Sequence, residues 1–298
     1  MTHFEYLIAN ERDYQWGMVT TTVGVQSVGA GATYPRNEHP DAYMFSPKKG
    51  RVLQEFIILY IPEGGGWFTS AHCKLTRVKA GDVCLIFPNE WHDYVPDKET
   101  GWTEAWIGFK GFIPQLWMDA KYFVVDNPIL YVGTNNQLLD YYNTAYEVAK
   151  LQPPAYQQLL AGYVNLIGSK IYSASREETY KGSCIIENMN RAKNYMQDNI
   201  CENLSMENVA KYIGLGYSKF RKDFKHITGF SPNQYFLELK LEKSKVLLLN
   251  EEMSCKEIAF HLGFDSPSYF NKVFLSHIGI TPLDFRRQHF KFENNKFK

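Results

Sequence analysis

The sequence lacks the long apolar run that a membrane-spanning helix needs. No stretch of about 18 apolar residues occurs in its 298 residues, although 45% of them are hydrophobic. The beginning of the chain, from Met1 to Gly17, is interrupted by four charged residues and has no apolar core of the kind that a signal peptide carries. We therefore predict a soluble, cytoplasmic protein with no membrane partner.

The sequence is also short of paired cysteines. Zinc sites and disulfide frameworks use closely spaced pairs, and no C-x-x-C pair occurs here. The five cysteines are scattered instead: Cys73, Cys84, Cys184, Cys201 and Cys255. This pattern favours reduced thiols, with no structural metal and no cofactor.

Net charge is absent as well, because 32 basic residues balance 32 acidic ones. The balance is uneven along the chain. From Lys181 onward there are 18 Lys and Arg against 13 Asp and Glu, a charge of +5, which leaves −5 for the preceding residues. A chain of this length has room for two domains. The charge asymmetry suggests that the second domain faces nucleic acid.

The first part of the chain has the pattern of a β-sandwich or small barrel. Between about residues 20 and 112, short apolar runs rich in β-branched and aromatic residues are bounded by turn-forming residues. We expect the run Phe56–Ile61 to be a strand that ends at Pro62–Gly66, and Val83–Phe87 to be another.

A helical period of about 3.6 residues replaces this pattern from about Asn135. We predict one helix up to Pro153-Pro154 and a second from Tyr156 to about Tyr172, followed by a polar linker. The first helix has a face made of Leu138, Leu139, Tyr142, Tyr146 and Ala149. This stripe could pair with a second copy of the chain or pack against the barrel, and we adopt dimerisation as the working hypothesis.

An internal repeat is the strongest signal in the sequence. Ser205, Ala210 and Gly214 recur 49 positions later, and five further residues recur 50 positions later. These five pairs are Phe220 and Phe270, Phe224 and Phe274, Gly229 and Gly279, Pro232 and Pro282, and Tyr235 and Phe285. In each unit a serine is placed to cap a helix, a small residue marks a close helix crossing, and a glycine ends the helix.

Two helices joined by a tight turn form the helix-turn-helix pattern, whose second helix enters the major groove. An α-hairpin used only for packing is the alternative. Polar and basic residues favour DNA binding, because they suit phosphates and base edges. The DNA-binding candidates are Ser218, Lys219, Arg221, Lys222 and Lys225 in the first unit, and Ser266, Pro267, Ser268, Asn271 and Lys272 in the second.

Residues 184–290 resemble the AraC/XylS transcription regulators. The resemblance rests on the run Glu257–Phe274, on Gly279-Ile280-Thr281-Pro282 and Phe285-Arg286, and on Thr228–Pro232 in the first unit. It implies that Ser218, Arg221 and Lys222, then Pro267, Ser268, Asn271 and Lys272, read bases. Lys240 and Leu275 depart from the family, where Arg and a basic residue are usual, and we expect both departures to weaken phosphate contacts.

The first half resembles the cupin-like barrels that such regulators carry. Gly81–His92 is similar to the second cupin motif, and Gly101–Phe109 to the next strand of sugar-responsive regulators. The resemblance implies a small-molecule effector, plausibly a sugar. Its predicted contacts are Tyr94, Glu104 and Trp106, with His92 and Arg36 as further candidates, although nothing places Arg36 in the barrel. Glu104 and Trp106 are two residues apart, so they share one face of a strand.

The predicted fold is therefore α+β and multidomain: a cupin-like barrel with a helical hairpin, then an all-α domain with two helix-turn-helix motifs. The boundaries are 1–134 for the effector barrel, 135–173 for the dimerisation helices, 174–182 for the linker and 183–298 for the DNA-binding domain, with units at about 205–226 and 254–276.

Three functions stay open: a ligand-responsive regulator of duplex DNA acting as a homodimer, a metal-dependent cupin enzyme, and a DNA-binding protein whose barrel only dimerises. The enzyme is disfavoured because His72 and His92 are present without an H-x-H pair.

Overall fold

The computed structural model describes residues 2–35, 49–180, 184–250 and 252–294. The chain separates into two compact units, Met1–Lys181 and Gly182–Lys298. The first unit holds all the strands of the described residues, and the second is helical, so the predicted fold class is confirmed. None of the helices within the described ranges combines the length and apolar character needed to cross a membrane.

The described residues of the first unit form nine strands and four helices. The strands are β1 (Thr2–Tyr6), β2 (Val19–Val28), β3 (Arg51–Val52), β4 (Phe56–Ser70), β5 (Cys73–Lys79), β6 (Asp82–Ile86), β7 (Trp91–Pro96), β8 (Trp102–Lys110) and β9 (Ile129–Tyr131). The helices are α1 (Glu11–Gln15), α2 (Phe112–Asp119), α3 (Asn136–Leu151) and α4 (Tyr156–Thr179).

The long strand β4 belongs to two sheets and joins them into a barrel-like body. Its first half pairs with β6 and β8, in the order β1-β2-β8-β4-β6-β9, and its second half pairs with β5 and β7. The prediction that Pro62–Gly66 ends this strand is wrong. The pairing shifts register between Tyr60 and Glu63, and Gly64 has a φ of 75°. A glycine bulge therefore bends the strand without ending it.

The helical pair α3 and α4 packs on the outer face of the first sheet. Leu138, Tyr142 and Ala149 of α3 share a core with Val164 and Ile167 of α4 and with strand residues of β2 and β8. The apolar stripe predicted for α3 is thus covered within the chain. The linker prediction is wrong over residues 174–179, because α4 continues to Thr179. Its polar residues there include Arg and Glu, which are good helix formers.

In the described part of the second unit, seven helices are present. They are α5 (Ile185–Asp198), α6 (Met206–Tyr212), α7 (Tyr217–Thr228), α8 (Pro232–Leu249), α9 (Cys255–His261), α10 (Pro267–Ile278) and α11 (Pro282–Asn294). The repeat corresponds to α6 with α7 and to α9 with α10. Each predicted helix start is confirmed: the side chain of Ser205 accepts from Asn208 N, and Ser254 forms a capping box with Glu257.

The turns of the two helix-turn-helix units depend on left-handed glycines. Gly214 has a φ of 74° and Gly263 a φ of 62°, a region that side chains with a Cβ rarely enter. Ser266 then caps α10, with Pro267 at its first turn, as predicted.

Helix α8 connects two separate cores. Phe236, in its first half, packs with Phe220 and Phe224 of the first helix-turn-helix unit. Leu241 and Leu248, further along α8, pack with the core of the second helix-turn-helix unit, around α9 and α10. The second unit of the chain is therefore two small helical bodies joined by one helix.

Candidate effector pocket and nucleic-acid interface

Helix α7 presents a basic face to solvent opposite its buried side. Phe220 and Phe224 are fully buried, which fixes the rotation of the helix. The other side carries Ser218, Arg221, Lys222 and Lys225, all exposed and at the i, i+3, i+4, i+7 spacing of one helical face. Within the part of the chain that the structure describes, no acidic partner is recorded for the three cations.

Lys219 lies on a different side of α7. Its Nζ is 2.8 Å from the Oδ2 of Asp223, one turn later on the same helix. This pair neutralises the charge of Lys219 beside the basic face. The structure therefore separates Lys219 from the other predicted DNA contacts of this helix.

Helix α10 has an equivalent face of different chemistry. Phe270 and Phe274 are fully buried, and Ser268, Asn271, Lys272 and Leu275 are exposed at the same spacing as the face of α7. This face carries one cation instead of three, one amide and one leucine. Ser266 lies at the start of the helix, where its Oγ accepts from the backbone N–H of Tyr269 at 3.1 Å.

Residues Tyr269 and Leu275 were missed by the sequence reasoning as surface features of α10. Their side chains are 46% exposed, although both are apolar or aromatic. Leu275 follows Ser268 by seven positions, so its place on the same face could have been found from helical spacing alone. The sequence analysis considered Leu275 only as the replacement of a basic residue that would contact phosphate. It did not consider the exposed apolar surface that the leucine itself provides.

Lys240 is not a surface residue, and its predicted relation to phosphate contacts is wrong. Its side chain is buried, and its ammonium group donates to the carbonyl of Gly263 at 3.2 Å. The connecting helix α8 places this position between its two cores, where DNA cannot reach it.

A cavity opens in the barrel of the first unit. It is partly open to solvent, and the space of about 410 Å³ between its walls includes some of that solvent. Three predicted effector residues line it together: Tyr94 from β7, and Glu104 and Trp106 from β8. The other lining residues are Tyr6, Thr22, Gln26, Tyr34, Pro35, Arg51, Ile57 and Leu59. We call this space the effector cavity.

Glu104 is a buried carboxylate inside the effector cavity. It accepts a hydrogen bond from Nε2 of Gln26, on the neighbouring strand β2, and its Oε2 accepts from the hydroxyl of Tyr34 at 3.1 Å. Burial and the nearby charge of Glu104 raise the pKa of Tyr34 well above its usual value. The phenol therefore stays protonated and donates to the carboxylate.

Trp106 lies across strand β2 because its partner there is glycine. Gly24 is paired with Trp106 in the sheet register, and a Cβ at that position would be 2.5 Å from the indole carbon Cζ2. The indole N–H donates to Oγ1 of Thr22 at 3.1 Å. These contacts fix the ring beside Glu104, with one part of the ring facing the cavity.

A cationic group lies on the wall of the effector cavity. The guanidinium of Arg51 donates to the hydroxyl of Tyr94 at 2.6 Å and is 5.5 Å from the centre of the Tyr94 ring. Burial raises the pKa of Tyr94 to about 12, although Arg51 opposes the shift. The cavity thus presents a carboxylate, a guanidinium and protonated phenols together.

His92 is placed behind this wall and does not line the cavity. Its ring stacks on Tyr94 with centroids 6.1 Å apart, and its Nε2 is 3.4 Å from Nε of Arg51. Burial lowers the pKa of His92 to about 4, so the ring is neutral near pH 7 and can accept from Arg51. The remaining candidate, Arg36, lies outside the described residues.

Five polar lining residues were missed by the sequence reasoning: Tyr6, Thr22, Gln26, Tyr34 and Arg51. They come from β1, β2, the segment after β2, and β3, all far from β8 in sequence. Contacts between segments that are distant in sequence bring them together, and a single sequence gives no measure of those contacts.

The two histidines of the metal hypothesis occupy different surroundings. His72 lies between carboxylates, 3.4 Å from Glu90 and 3.3 Å from Asp126, whereas His92 lies against Arg51 and Tyr94. Across the described ranges, no group of three or more His, Cys, Asp or Glu residues is arranged to hold a metal ion.

Two family profiles match the chain. One is described as a helix-turn-helix domain and covers residues 209–288, and the other as an AraC-like ligand binding domain and covers residues 33–140. Among similar proteins, the MmsAB operon regulatory protein of Pseudomonas aeruginosa is 25% identical over 85% of this chain and 77% of its own length.

Two further relatives are operon regulatory proteins of Pediococcus pentosaceus and Streptococcus mutans. The raffinose operon transcriptional regulatory protein of Pediococcus pentosaceus is 26% identical, over 82% of this chain and 88% of its own length. The Msm operon regulatory protein of Streptococcus mutans is 25% identical, over 83% of this chain and 88% of its own length.

The fold and these matches define a class: a DNA-binding transcription regulator that joins a ligand-binding domain to a helix-turn-helix domain. Within that class, the chain belongs to the AraC family.

Proposed function

We propose that this protein is a sugar-responsive transcription regulator, in which a sugar binds in the effector cavity and changes the affinity of the second unit for its operator. The observation that carries the proposal is the pairing of Glu104 with Trp106 in the wall of the effector cavity. A flat aromatic ring beside a fixed carboxylate suits a sugar, which has apolar ring faces and hydroxyl donors at its edges.

The polar lining of the cavity supports a ligand rich in hydroxyl groups. Oε1 of Gln26 is buried and has no hydrogen-bond partner among the described residues. A buried acceptor without a donor costs about 1–3 kcal/mol, so a hydroxyl group arriving there would be favourable. Arg51, which lines the same cavity, can also donate to sugar oxygens. The name of one relative adds support, since it refers to the raffinose operon.

The proposed DNA contacts divide into two sets. Ser218, Arg221 and Lys222 of α7 would read bases, with Lys225 on a phosphate. Pro267, Ser268, Asn271 and Lys272 of α10 would read bases, with Ser266 near the backbone at the start of the helix. Lys219 would add only to the surrounding charge, because Asp223 neutralises it.

We further propose that the regulator works in the cytoplasm as a homodimer, without catalytic activity or a cofactor, and that helices α3 and α4 contribute the dimer contact. The stripe on α3 is used within the chain, but Leu159 and Leu166 of α4 are 48% and 42% exposed. They are seven residues apart, so they lie on one face of the helix.

The test is a thermal-shift and calorimetric screen of the full chain against neutral mono- to trisaccharides. We expect at least one sugar to bind, and Glu104→Gln to weaken it by about tenfold or more, because a charged hydrogen bond is lost. Glu63→Gln is the matched control, since Glu63 is an exposed acid of the same barrel.

Three outcomes would contradict parts of the proposal. Stoichiometric metal in the purified protein would favour the enzyme hypothesis. Failure of every sugar to bind would leave a barrel that only dimerises. Equal weakening by Glu104→Gln and Glu63→Gln would place the sugar elsewhere.

A further inference from the structure

A single buried ammonium group lies between the two helix-turn-helix bodies. Lys240, on the connecting helix α8, is 7% exposed, and its Nζ donates to the carbonyl of Gly263 at 3.2 Å and to that of Glu202 at 3.5 Å. Gly263 is the turn of the second helix-turn-helix unit, and Glu202 precedes α6 of the first. One side chain therefore holds a backbone carbonyl from each body.

The aromatic surroundings of this amine are also shared between the two bodies. The Nζ of Lys240 is 4.7 Å from the ring centre of Phe236, which belongs to the first core. It is 5.5 Å from the ring centre of Phe264, which belongs to the second. A cation over a ring face is attracted to it, so the two cores are linked through one charge.

The backbones themselves approach closely at the same place. A Cβ on Gly263 would be 3.2 Å from the carbonyl oxygen of Glu202 and 3.3 Å from that of Cys201. Beside this approach, Sγ of Cys201 is 3.5 Å from Nε2 of His261, the last residue of α9. These contacts join residues 201–202 of the first helix-turn-helix body to residues 261–264 of the second, and Lys240 lies among them. We call them the joint.

Burial makes the amine costly unless its donors are used. Desolvation lowers the pKa of Lys240, and the charge of Asp265 opposes the shift. A buried lysine that served only for packing would be replaced favourably by an apolar residue. Its hydrogen bonds to two carbonyls from different bodies instead give it a directional role.

We propose that Lys240 is a positioning residue that fixes the angle between α7 and α10, and so sets the spacing of the two DNA segments that the protein reads. The proposal rests on the proposed use of both helices on one duplex. With the joint intact, the helices enter successive major-groove segments about 10 base pairs apart. With the amine removed, the contact of Cys201 with His261 and the connecting helix α8 remain, and the angle becomes more variable.

The test begins with selection of bound sequences from a random DNA pool by the full wild-type chain. Duplexes are then made in which one or two base pairs are inserted or deleted between the two selected segments. We expect the wild type to lose about tenfold in affinity for each such change, as the contacts of one unit are lost. Lys240→Met should lose less than about threefold across the series, because its units reorient.

Two further variants separate positioning from stability. Lys240→Arg keeps the charge and the donors and should restore the wild-type spacing profile. Lys243→Met removes an exposed lysine of the same helix and should leave the profile unchanged. If Lys240→Met does not fold, the double variant Cys201→Ala, His261→Ala can be used, because it removes the exposed contact between these two side chains. This variant should also lose less affinity than the wild type when the spacing of the two segments is changed.

Each outcome bears on one proposal. A wild-type chain that selects no two-segment site would contradict the proposed function. A two-segment site with the same spacing profile for Lys240→Met as for the wild type would contradict only the role of Lys240, whatever happens to the melting temperature. Failure of Lys240→Arg to restore the profile would also overturn that role.

Discussion

At the scale of single residues, burial decides the charge of His92. Its pKa is lowered to about 4 in the folded barrel, mainly by desolvation, whereas the unfolded chain has the ordinary value of about 6.5. Between these two pH values the unfolded chain binds more protons than the folded chain. The contribution of neutral His92 to the free energy of unfolding is therefore fully present above about pH 6.5 and is lost as the pH falls towards 4. The loss is on the order of 3 kcal/mol.

We therefore predict that His92→Gln flattens the pH dependence of barrel unfolding between pH 6.5 and pH 4, although it lowers stability at pH 7. Urea unfolding followed by tryptophan fluorescence measures this directly, because all six tryptophans lie in the first unit. His3→Gln replaces an exposed histidine and is the control. An unchanged slope for His92→Gln would refute the assignment.

A second residue-scale prediction concerns Leu275, the apolar member of the exposed face of α10. The methyl group of thymine is the one apolar feature of the major groove, so a leucine among base-reading residues suits it. Replacing each thymine of the selected site by deoxyuridine, which lacks the methyl, should weaken wild-type binding about threefold to tenfold at one position. The affinity of Leu275→Ala should not change when the thymine at that position is replaced by deoxyuridine. Sensitivity that persists in Leu275→Ala would assign the methyl contact elsewhere.

At the scale of elements, the starts of two helices provide a natural comparison. Helix α9 begins with a capping box of Ser254 and Glu257, and α8 begins with one of Ser231 and Gln234. Hydrogen bonds from the backbone and hydroxyl of Ser254 lower the pKa of Glu257. The glutamate box therefore stabilises its helix above the ordinary pKa of a glutamate and loses strength as acid protonates it, whereas the glutamine box does not titrate.

We expect Glu257→Gln to remove part of the loss of helical stability on acidification while preserving the cap at pH 7. Thermal unfolding of the full chain, followed by far-ultraviolet circular dichroism at pH 7 and pH 3.5, measures the change. Gln234→Glu is the reverse experiment and should add acid sensitivity at α8. Identical acid dependence in all three proteins would show that these boxes do not couple to pH.

Elements also show how far sequence reasoning reaches in this protein. Local signals define the helix-turn-helix units: serine caps, left-handed glycines and a 3.6-residue period are properties of adjacent residues, and all were predicted. The polar stretch after Tyr172 misled because polarity is shared by linkers and exposed helix faces. The glycine run after Pro62 misled because a bulge and a turn use the same residues. The partners of Glu104 could not be predicted, because Gln26 is placed beside it only by long-range strand pairing.

At the scale of the whole molecule, regulation requires that binding in one compact unit change an equilibrium in the other. Coupling between two such sites is typically worth about 1–3 kcal/mol, or roughly 5- to 150-fold in affinity. Because the effector cavity and the two reading helices belong to separate units, a substitution in the cavity can remove the response without touching the DNA contacts. Linkage is reciprocal, so if a sugar bound in the effector cavity changes operator affinity, operator DNA changes the affinity for that sugar by the same factor.

The last prediction uses this reciprocity in the full chain. Trp106→Ala removes the ring that lies beside Glu104, and we expect it to abolish the effect of the bound sugar on operator affinity while leaving sugar-free operator affinity within about twofold of the wild type. In the wild type, titration of sugar with and without operator DNA should give the same coupling factor as titration of DNA with and without sugar. Tyr14→Ala, an exposed aromatic of α1, controls for nonspecific loss of a ring. A sugar response that survives in Trp106→Ala would remove this ring from the mechanism, and two unequal coupling factors in the wild type would mean that the sugar acts on a third equilibrium, such as dimerisation.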